Sequence, residues 1–140
     1  MNKKTYYILN FTWGIIMTLI GGVVALWLIC RYKLKPTRHG GCLQFTFRKN
    51  WGGVSLGLVT IVQEGATDHT KDHEFGHSIQ NALYGPFQVI LSLASATRYH
   101  YRNRVIKSRP GKTLPPYDAF WFEAQATKWG EENMTSGVWT

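Results

Sequence analysis

The sequence predicts an α+β protein in which an N-terminal transmembrane helix is followed by a small domain with a β-hairpin and about three helices. Three observations carry this prediction. An uncharged apolar run extends from Phe11 to Cys30, apolar and polar residues alternate between Cys42 and Val62, and later segments have helix start and stop signals. A run of that length spans a bilayer, and period-two alternation is typical of half-buried strands. We therefore divide the chain into a tail, anchor and basic flank at 1–35 and one compact domain at 36–140.

The apolar run is typical of a retained single-pass anchor. A cleavable signal peptide has a shorter apolar region that ends in small residues, whereas the bulky residues 27–29 precede Cys30 here. Positive residues flank the run on both sides, with Lys3 and Lys4 before it and Arg31, Lys33, Lys35 and Arg38 after it. The larger group after the run favours a cytoplasmic position for the domain that follows.

The alternating segment is predicted to form a β-hairpin. Its strands extend from Leu43 to Phe47 and from Val54 to Leu58, and the turn signal Asn50-Trp51-Gly52-Gly53 lies between them. An exposed strand edge can hold an extended peptide by main-chain hydrogen bonds. We therefore hypothesise that one strand presents its edge to a substrate, and a hairpin that only closes the core is the alternative.

The first helix of the domain contains the H-E-x-x-H segment His73-Glu74-Phe75-Gly76-His77. Signals for its start and its end are present in Thr67, Asp68 and Thr70 and in Gly85-Pro86. Residues four apart on a helix share one face, so His73 and His77 can bind the same metal ion. Glu74 is next to His73 but offset from that face. In this position it can take a proton from a metal-activated water. The motif therefore predicts a zinc site with Glu74 as its catalytic residue; a surface helix with solvated histidines is the alternative.

The next helix is predicted over Phe87 to Thr97, an apolar stretch too short for a confident membrane span. We expect a buried core helix there, with a membrane-dipping segment as the alternative. A basic and aromatic cluster from Arg98 to Lys112 follows and contributes much of the formal net charge of +8. No nucleic-acid fold signature accompanies it, so nucleic acid is an unlikely partner. We expect this cluster to contact anionic lipid, and a solvated basic face is the alternative.

A hydrolytic zinc site needs a third protein ligand, and we expect Glu123 to supply it. The long metzincin motif would continue with a glycine and a third histidine on the same run of sequence, but Gln80 and Leu83 occupy those positions. Glu123 is favoured because it lies in the middle of a helix predicted between Pro115-Pro116 and Gly130, among apolar neighbours. A buried carboxylate there needs a counter-charge, which a metal ion or an ion pair with Arg or Lys would provide. The other ligands considered are Glu64, Glu131, Glu132, His69 and His100.

His73, Glu74, His77 and the downstream Glu123 resemble the gluzincin arrangement of zinc metallopeptidases. The resemblance implies a small zincin-like domain in which both histidines and Glu123 bind zinc and Glu74 is the general base. Many gluzincins place an Asp four residues after the ligand glutamate, where it supports a metal-binding histidine, but Thr127 occupies that position here. Further candidates for this support or for an oxyanion donor are Asn81, Tyr99, His100, Tyr101, Tyr117, Asp118 and Gln125.

Nearly the whole chain, from the apolar run to the Glu123 segment, also resembles a group of small membrane-anchored bacterial proteins of uncharacterised function. These features predict a membrane-anchored zinc metallopeptidase that hydrolyses peptide bonds through a metal-activated water, with the lipid bilayer and a peptide or protein substrate as its partners. The alternative is a membrane-anchored binding or scaffold protein with a structural or vestigial metal site. A structural zinc has four protein ligands, whereas a catalytic zinc keeps one position for water. An amide hydrolase with the same zinc site would differ only in the shape of its pocket.

Overall fold

The fold is α+β, with five helices and a four-stranded mixed sheet among the residues that the computed structural model describes, which are 2–49, 51–108, 121–136 and 139. The α+β class predicted from the sequence is therefore confirmed. The elements in chain order are α1 (Lys3–Phe11), α2 (Ile15–Tyr32), β1 (Thr37–His39), β2 (Cys42–Thr46), β3 (Gly53–Leu56), β4 (Val59–Val62), α3 (Asp68–Tyr84), α4 (Phe87–Ser108) and α5 (Trp121–Thr135).

The sheet has the order β1-β2-β4-β3, and the predicted single hairpin is wrong. β2 pairs with β4 in parallel, with Leu43 opposite Val59, whereas β1–β2 and β3–β4 are antiparallel. The predicted second strand ends at Leu56 because Gly57, at φ +66°, turns the chain into β4. All four residues of β4 are buried, so this strand lies in the centre of the sheet and leaves β3 at one edge.

Most of the N-terminal apolar run lies in α2, which begins at Ile15, and a separate helix, α1, precedes the run and ends at Phe11. α2 has a mean hydropathy of 2.0 and is the one helix in the described part of the chain that is long and apolar enough to cross a membrane. Gly21 of α2 faces the sheet, because a Cβ there would overlap the carbonyl oxygen of Leu56. Further along α2, Ala25 and Leu28 join a core cluster with residues of β2 and β4, namely Phe45, Val59 and Ile61.

α1 belongs to a second core cluster, which it shares with α3. Tyr6 is fully buried, and its ring lies 5.8 Å from the ring of Phe75 and 4.9 Å from that of Trp139. Residues on both sides of the expected boundary at residue 35 therefore pack in the same clusters.

α3 begins and ends where the sequence predicts. Thr67 is its N-cap, with a side chain that accepts a hydrogen bond from the backbone N–H of Thr70, and Gly85 is its C-cap at φ +57°. A Cβ at Gly76, inside the motif, would overlap the carbonyl oxygen of Ala126 in α5. Gly130 makes the reciprocal approach, because a Cβ there would overlap the carbonyl oxygen of Asp72. The two glycines therefore allow α3 and α5 to cross with their backbones in contact.

This close approach corrects one expectation about α5. Gly130 does not end the helix, which continues to Thr135, because the glycine serves helix packing rather than a C-cap. Glu123 lies within the described part of α5. Pro115-Pro116 lies outside the described residues.

α4 is not the buried core helix expected from its apolar stretch. Its large apolar residues are exposed: Phe87 is 60% exposed, Ile90 64% and Leu93 63%. The fully buried residues of its described part are polar, Gln88 and Ser95. The expectation failed because hydrophobicity alone does not say which face of a helix meets the core. The basic cluster begins within α4 at Arg98, and its segment 109–112 lies outside the described residues.

Candidate metal centre

Three side chains from two helices converge on one point. The carboxylate oxygen Oε2 of Glu123 lies 2.9 Å from Nε2 of His73 and 3.1 Å from Nε2 of His77. The nearest ligand atoms of all three residues lie within 4.8 Å of one another. The Glu123 side chain is 2% exposed, and those of His73 and His77 are 13% and 12% exposed. The described residues thus contain one group with the composition and spacing to hold a metal ion.

The second nitrogen of each imidazole is held by a neighbouring polar side chain. Nδ1 of His73 lies 2.7 Å from Oγ1 of Thr127, and Nδ1 of His77 lies 2.8 Å from Oε1 of Gln80. Thr127 therefore occupies the place where the gluzincin resemblance implies an aspartate. Metal-binding histidines usually make such a contact, because it fixes the orientation and tautomer of the ring.

The hydrogen bonds around Gln80 determine the tautomer of His77. The Gln80 amide nitrogen donates to the carbonyl oxygen of Phe122 at 2.8 Å and to Oε1 of Gln125 at 3.0 Å. Oε1 of Gln80 is therefore an acceptor, and Nδ1 of His77 must donate its proton to it. In the neutral ring, Nε2 then carries a lone pair that faces Glu123.

The same argument applies to His73. Oγ1 of Thr127 donates to the backbone carbonyl oxygen of Glu123 at 3.3 Å, which leaves it as an acceptor for Nδ1–H of His73. Two imidazole lone pairs and one carboxylate oxygen therefore point at one another. Such a set of acceptors needs a cation at its centre, either a proton or a metal ion, so the donor chemistry of the site fits a metal.

The charges of the site are coupled through Glu123. Burial alone would raise the pKa of Glu123, but where protons are the cations between these groups, hydrogen bonds from His73 and His77 lower that pKa well below its usual range. Burial alone would lower the pKa of His77, but its hydrogen bond to Glu123 and the charge of Glu74 raise it above the usual value. The Glu123 carboxylate therefore remains charged and holds positive charge close to it. Ser95 of α4 donates a further hydrogen bond to Oε1 of Glu123.

Glu74 lies beside this cluster and faces strand β3. Its side chain is nearly buried, and burial raises its pKa, although the nearby charges of His77 and His73 oppose that rise. A Cβ at Gly53 would lie 3.0 Å from Oε1 of Glu74, so the glycine leaves room for the carboxylate at the edge of the sheet. Among the described residues, the Glu74 carboxylate has no hydrogen-bond partner, and it is therefore free to meet a bound molecule.

A cavity of about 510 Å³ opens in front of the histidines and Glu74. β3 forms one wall with Val54 and Ser55, and α4 forms another with Ser92, Ser95 and Tyr99. The Oγ atom of Ser55 is buried without a hydrogen-bond partner. The cavity therefore lies between a strand edge and the helix α4, with the ionisable cluster at its base.

The remaining candidates from the sequence lie in different places. Asn81 donates to Oδ1 of Asn10 at 2.6 Å and to the carbonyl oxygen of Gly14 at 3.0 Å, so it holds the α1–α2 turn instead of a histidine. Gln125 accepts hydrogen bonds from Gln80 and Tyr84. It therefore helps to hold Gln80, which in turn holds the ring of His77. Tyr99 and His100 line the cavity, whereas Tyr101 is 69% exposed and does not. Tyr117 and Asp118 lie outside the described residues.

The other possible ligands do not join the cluster. Glu64 lies 3.8 Å from Nζ of Lys49, and Glu131 lies 2.9 Å from Nδ1 of His69.

Sequence reasoning missed two residues of the site, Gln80 and Ser95. Gln80 had a signal, because it lies three positions after His77 on the same helix face. Ser95 had none, since its approach to Glu123 depends on how α4 packs.

No protein-family model, no curated protein and no solved structure matches the chain. The class of site is therefore defined by its own geometry: two histidines and a glutamate around one point, with a second glutamate beside them in a cavity.

Proposed function

We propose that this chain is a membrane-anchored, zinc-dependent metallopeptidase. One observation carries the proposal: Nε2 of His73, Nε2 of His77 and Oε2 of Glu123 converge at the base of a cavity that also contains the Glu74 carboxylate. Two imidazole nitrogens and one carboxylate oxygen form a donor set that is common for catalytic zinc. Zinc held there would act as a Lewis acid, which lowers the pKa of a water and polarises a substrate carbonyl.

Glu74 is the proton carrier in this proposal. It takes a proton from the attacking water and later delivers it to the nitrogen of the leaving amine. A raised pKa suits this task, because the best general acid-base groups have pKa values near the working pH. Thr127 and Gln80 keep the proton of each imidazole on Nδ1, so that both Nε2 atoms remain available as ligands.

The edge of β3 supports a peptide as the substrate. Gly52 and Gln63 form a hydrogen-bonded pair, because the N–H of Gln63 donates to the carbonyl oxygen of Gly52 at 2.8 Å. Along an antiparallel ladder such pairs alternate with pairs whose backbone N–H and C=O groups point away from the partner strand. The backbone groups of Gly53 and Ser55 therefore point away from β4. No described strand pairs with β3 on that side, which borders the cavity. An extended peptide that added to this edge would lie across the cavity in front of Glu74.

The anchor in this proposal is α2, whose length and apolar composition suit a bilayer. The single crossing and the cytoplasmic position of the catalytic domain stay predictions from the sequence. A structural zinc, one form of the scaffold alternative, requires a closed site with four protein ligands, whereas the described residues provide three; a vestigial site is the other form.

Substitution of Glu74 by Gln tests the proposal. The full chain, purified in detergent and loaded with zinc, is incubated with a peptide mixture, and new termini are counted by mass spectrometry. We expect Glu74→Gln to keep its zinc and to lose cleavage by about 100-fold or more. Glu64→Gln, at an exposed carboxylate outside the cavity, is the matched control and should cleave normally. Unchanged cleavage by Glu74→Gln would refute its role, and zinc-loaded wild-type protein that cleaves no peptide would favour the scaffold.

A further inference from the structure

α4 buries polar side chains and exposes large apolar ones, which is the opposite of a helix on the surface of a water-soluble domain. The side chains that it turns inward are polar: Gln88 is 2% exposed and Ser95 4%. Both reach the metal centre, because Gln88 donates to the backbone carbonyl oxygen of His77 at 3.4 Å and Ser95 donates to Glu123. The side chains that it turns outward include Phe87, Ile90 and Leu93, which are exposed by 60% or more. We refer to these three residues as the outer stripe.

α2 also turns large apolar side chains outward. Leu19, Val23 and Leu26 are more than 60% exposed, whereas three of its five buried positions are the small residues Thr18, Gly21 and Ala25 and the other two are Met17 and Leu28. Large apolar side chains on the outside and small or polar ones on the inside are expected where the surroundings of a helix are lipid. Since α2 is the helix with the composition of a membrane anchor, the same surroundings explain α4.

Trp13 connects the two outer surfaces. It lies in the turn between α1 and α2, is 45% exposed, and its ring lies 6.3 Å from the ring of Phe87. Its indole N–H donates to the carbonyl oxygen of Leu83 at 3.1 Å, at the end of α3. The outer stripe of α4 is therefore continuous with the region where α2 begins. Tryptophan is enriched in such positions at the interface between lipid and water.

The charge along α4 also suits a membrane. The outer stripe is in its first half, and Arg98, Arg102 and Arg104 follow in its second half. α2 has the same order, because Arg31 and Lys33 follow its apolar residues. Apolar residues followed by basic ones match the change from acyl chains to anionic headgroups.

We propose that the outer stripe of α4 lies among the acyl chains of the bilayer beside α2, and that the cavity takes peptide segments held at the membrane. The second half of this proposal rests on the proposed peptidase function. Its physical reason is the contact between Ser95 and Glu123, which joins the inner face of α4 to the metal centre. A lipid-bound α4 therefore fixes the cavity close to the bilayer. A membrane-held peptide is concentrated beside the cavity there, whereas a freely diffusing peptide is not.

The depth of α4 in the bilayer is measurable without any activity. A nitroxide is attached at Ile90→Cys or Leu93→Cys in a Cys30→Ser background, because Cys30 is exposed and Cys42 is buried. The full chain is placed in vesicles of phosphatidylcholine and phosphatidylglycerol, and electron paramagnetic resonance compares collisions with oxygen and with a water-soluble nickel complex. Glu132→Cys, at an exposed polar position of α5, is the control. We expect oxygen to dominate at 90 and 93 and the nickel complex at 132.

Two results would overturn the membrane position of α4. One is access of the nickel complex to positions 90 and 93 equal to that at 132. The other is spin–spin broadening between labels at position 90, which would show that a second copy of the chain covers the outer stripe.

The substrate half is tested with one peptide in two forms, free in solution or tethered to the same vesicles by an acyl chain. The double variant Ile90→Asp/Leu93→Asp should lose about tenfold or more in cleavage of the tethered form, with cleavage of the free form unchanged. An equal effect on both forms, or no effect on either, would contradict membrane delivery. If the wild type cleaves neither form, the proposed function fails, while the depth measurement still decides the position of α4.

Discussion

Gly76 of α3 lies directly against the backbone carbonyl of Ala126 in α5, with no room for a Cβ between them. This contact is directly beside a residue of the candidate site on each helix, since Gly76 precedes His77 and Ala126 precedes Thr127. The glycine of the H-E-x-x-H segment thus sets the distance between the two helices whose side chains meet in the metal centre. Close packing of α3 against α5 therefore explains the glycine.

Substitution of Gly76 by Ala should therefore destabilise the protein and separate the ligands. We expect a loss of about 3 kcal/mol in the free energy of unfolding, because the new methyl group meets backbone and cannot be relieved by a rotamer change. Thermal unfolding in detergent, followed by circular dichroism, measures the loss. Gly22→Ala is the matched control, since a Cβ there meets nothing within 4 Å. Equal stability of the two variants would contradict the close approach of α3 and α5.

Removal of the hydroxyl of Thr127 should weaken metal binding while the fold is kept. In Thr127→Val the ring of His73 loses the acceptor for its Nδ1 proton, and loss of such a partner costs about 10- to 100-fold in metal affinity. Competition with a zinc-binding dye measures the affinity. Thr135→Val, which removes an exposed hydroxyl from the same helix, is the control. Equal zinc affinity of Thr127→Val and the wild type would show that Thr127 does not hold a ligand.

A proline at position 55 should reduce peptide cleavage if a substrate adds to β3. The N–H of Ser55 points away from β4, so Ser55→Pro removes a group that a substrate would use without breaking the β3–β4 ladder. Ser55→Ala keeps the N–H and removes only the hydroxyl. It therefore separates the contribution of the backbone N–H from that of the side chain. Peptide cleavage rates at low substrate concentration provide the comparison. Normal cleavage by folded Ser55→Pro would remove the strand-addition hypothesis.

Burial of Cys42 should make the protein less stable at alkaline pH. Burial raises the pKa of the Cys42 thiol from 9.0 to about 11, so between these values the unfolded chain loses a proton that the folded chain keeps. Stability from this group is complete below pH 9 and is lost as the pH rises to 11, by about 3 kcal/mol in total.

The measurement is the midpoint of denaturant unfolding as a function of pH. Cys42→Ala should flatten the decline between pH 9 and 11, although Tyr6, whose pKa burial also raises, keeps part of it. Cys30→Ala, which removes an exposed thiol, should leave the profile unchanged. A steep decline that is identical in all three proteins would assign the alkaline sensitivity to other groups.

Local signals in the sequence predict those parts of the fold that local interactions determine. The limits of α3 are correct because the Thr67 hydroxyl and the positive φ of Gly85 act within one turn of the helix. Glu123 was singled out because its apolar neighbours make an unpaired carboxylate costly, and the structure brings it to both histidines.

Features that depend on long-range packing were not accessible from the sequence. The parallel pairing of β2 with β4 joins residues on either side of β3, and period-two alternation is compatible with either pairing. The sequence predicts a helix end at Gly130, because a glycine needed for a helix crossing looks the same in sequence as a C-cap. The outward orientation of the apolar residues of α4 was missed for a similar reason, since composition does not say which face of a helix meets the core.

The zinc content of Glu123→Ala is the most direct test of the metal centre. The full-length variant and the wild type are equilibrated with buffered zinc, and bound metal per chain is measured by mass spectrometry, with circular dichroism as the check that both are folded. Glu132→Ala, an exposed carboxylate on the same helix, is the control. We predict one zinc per chain in the wild type and in Glu132→Ala, and a loss of most of the metal in Glu123→Ala. A folded wild type that binds no zinc, or a folded Glu123→Ala that keeps one zinc per chain, would contradict the proposed site.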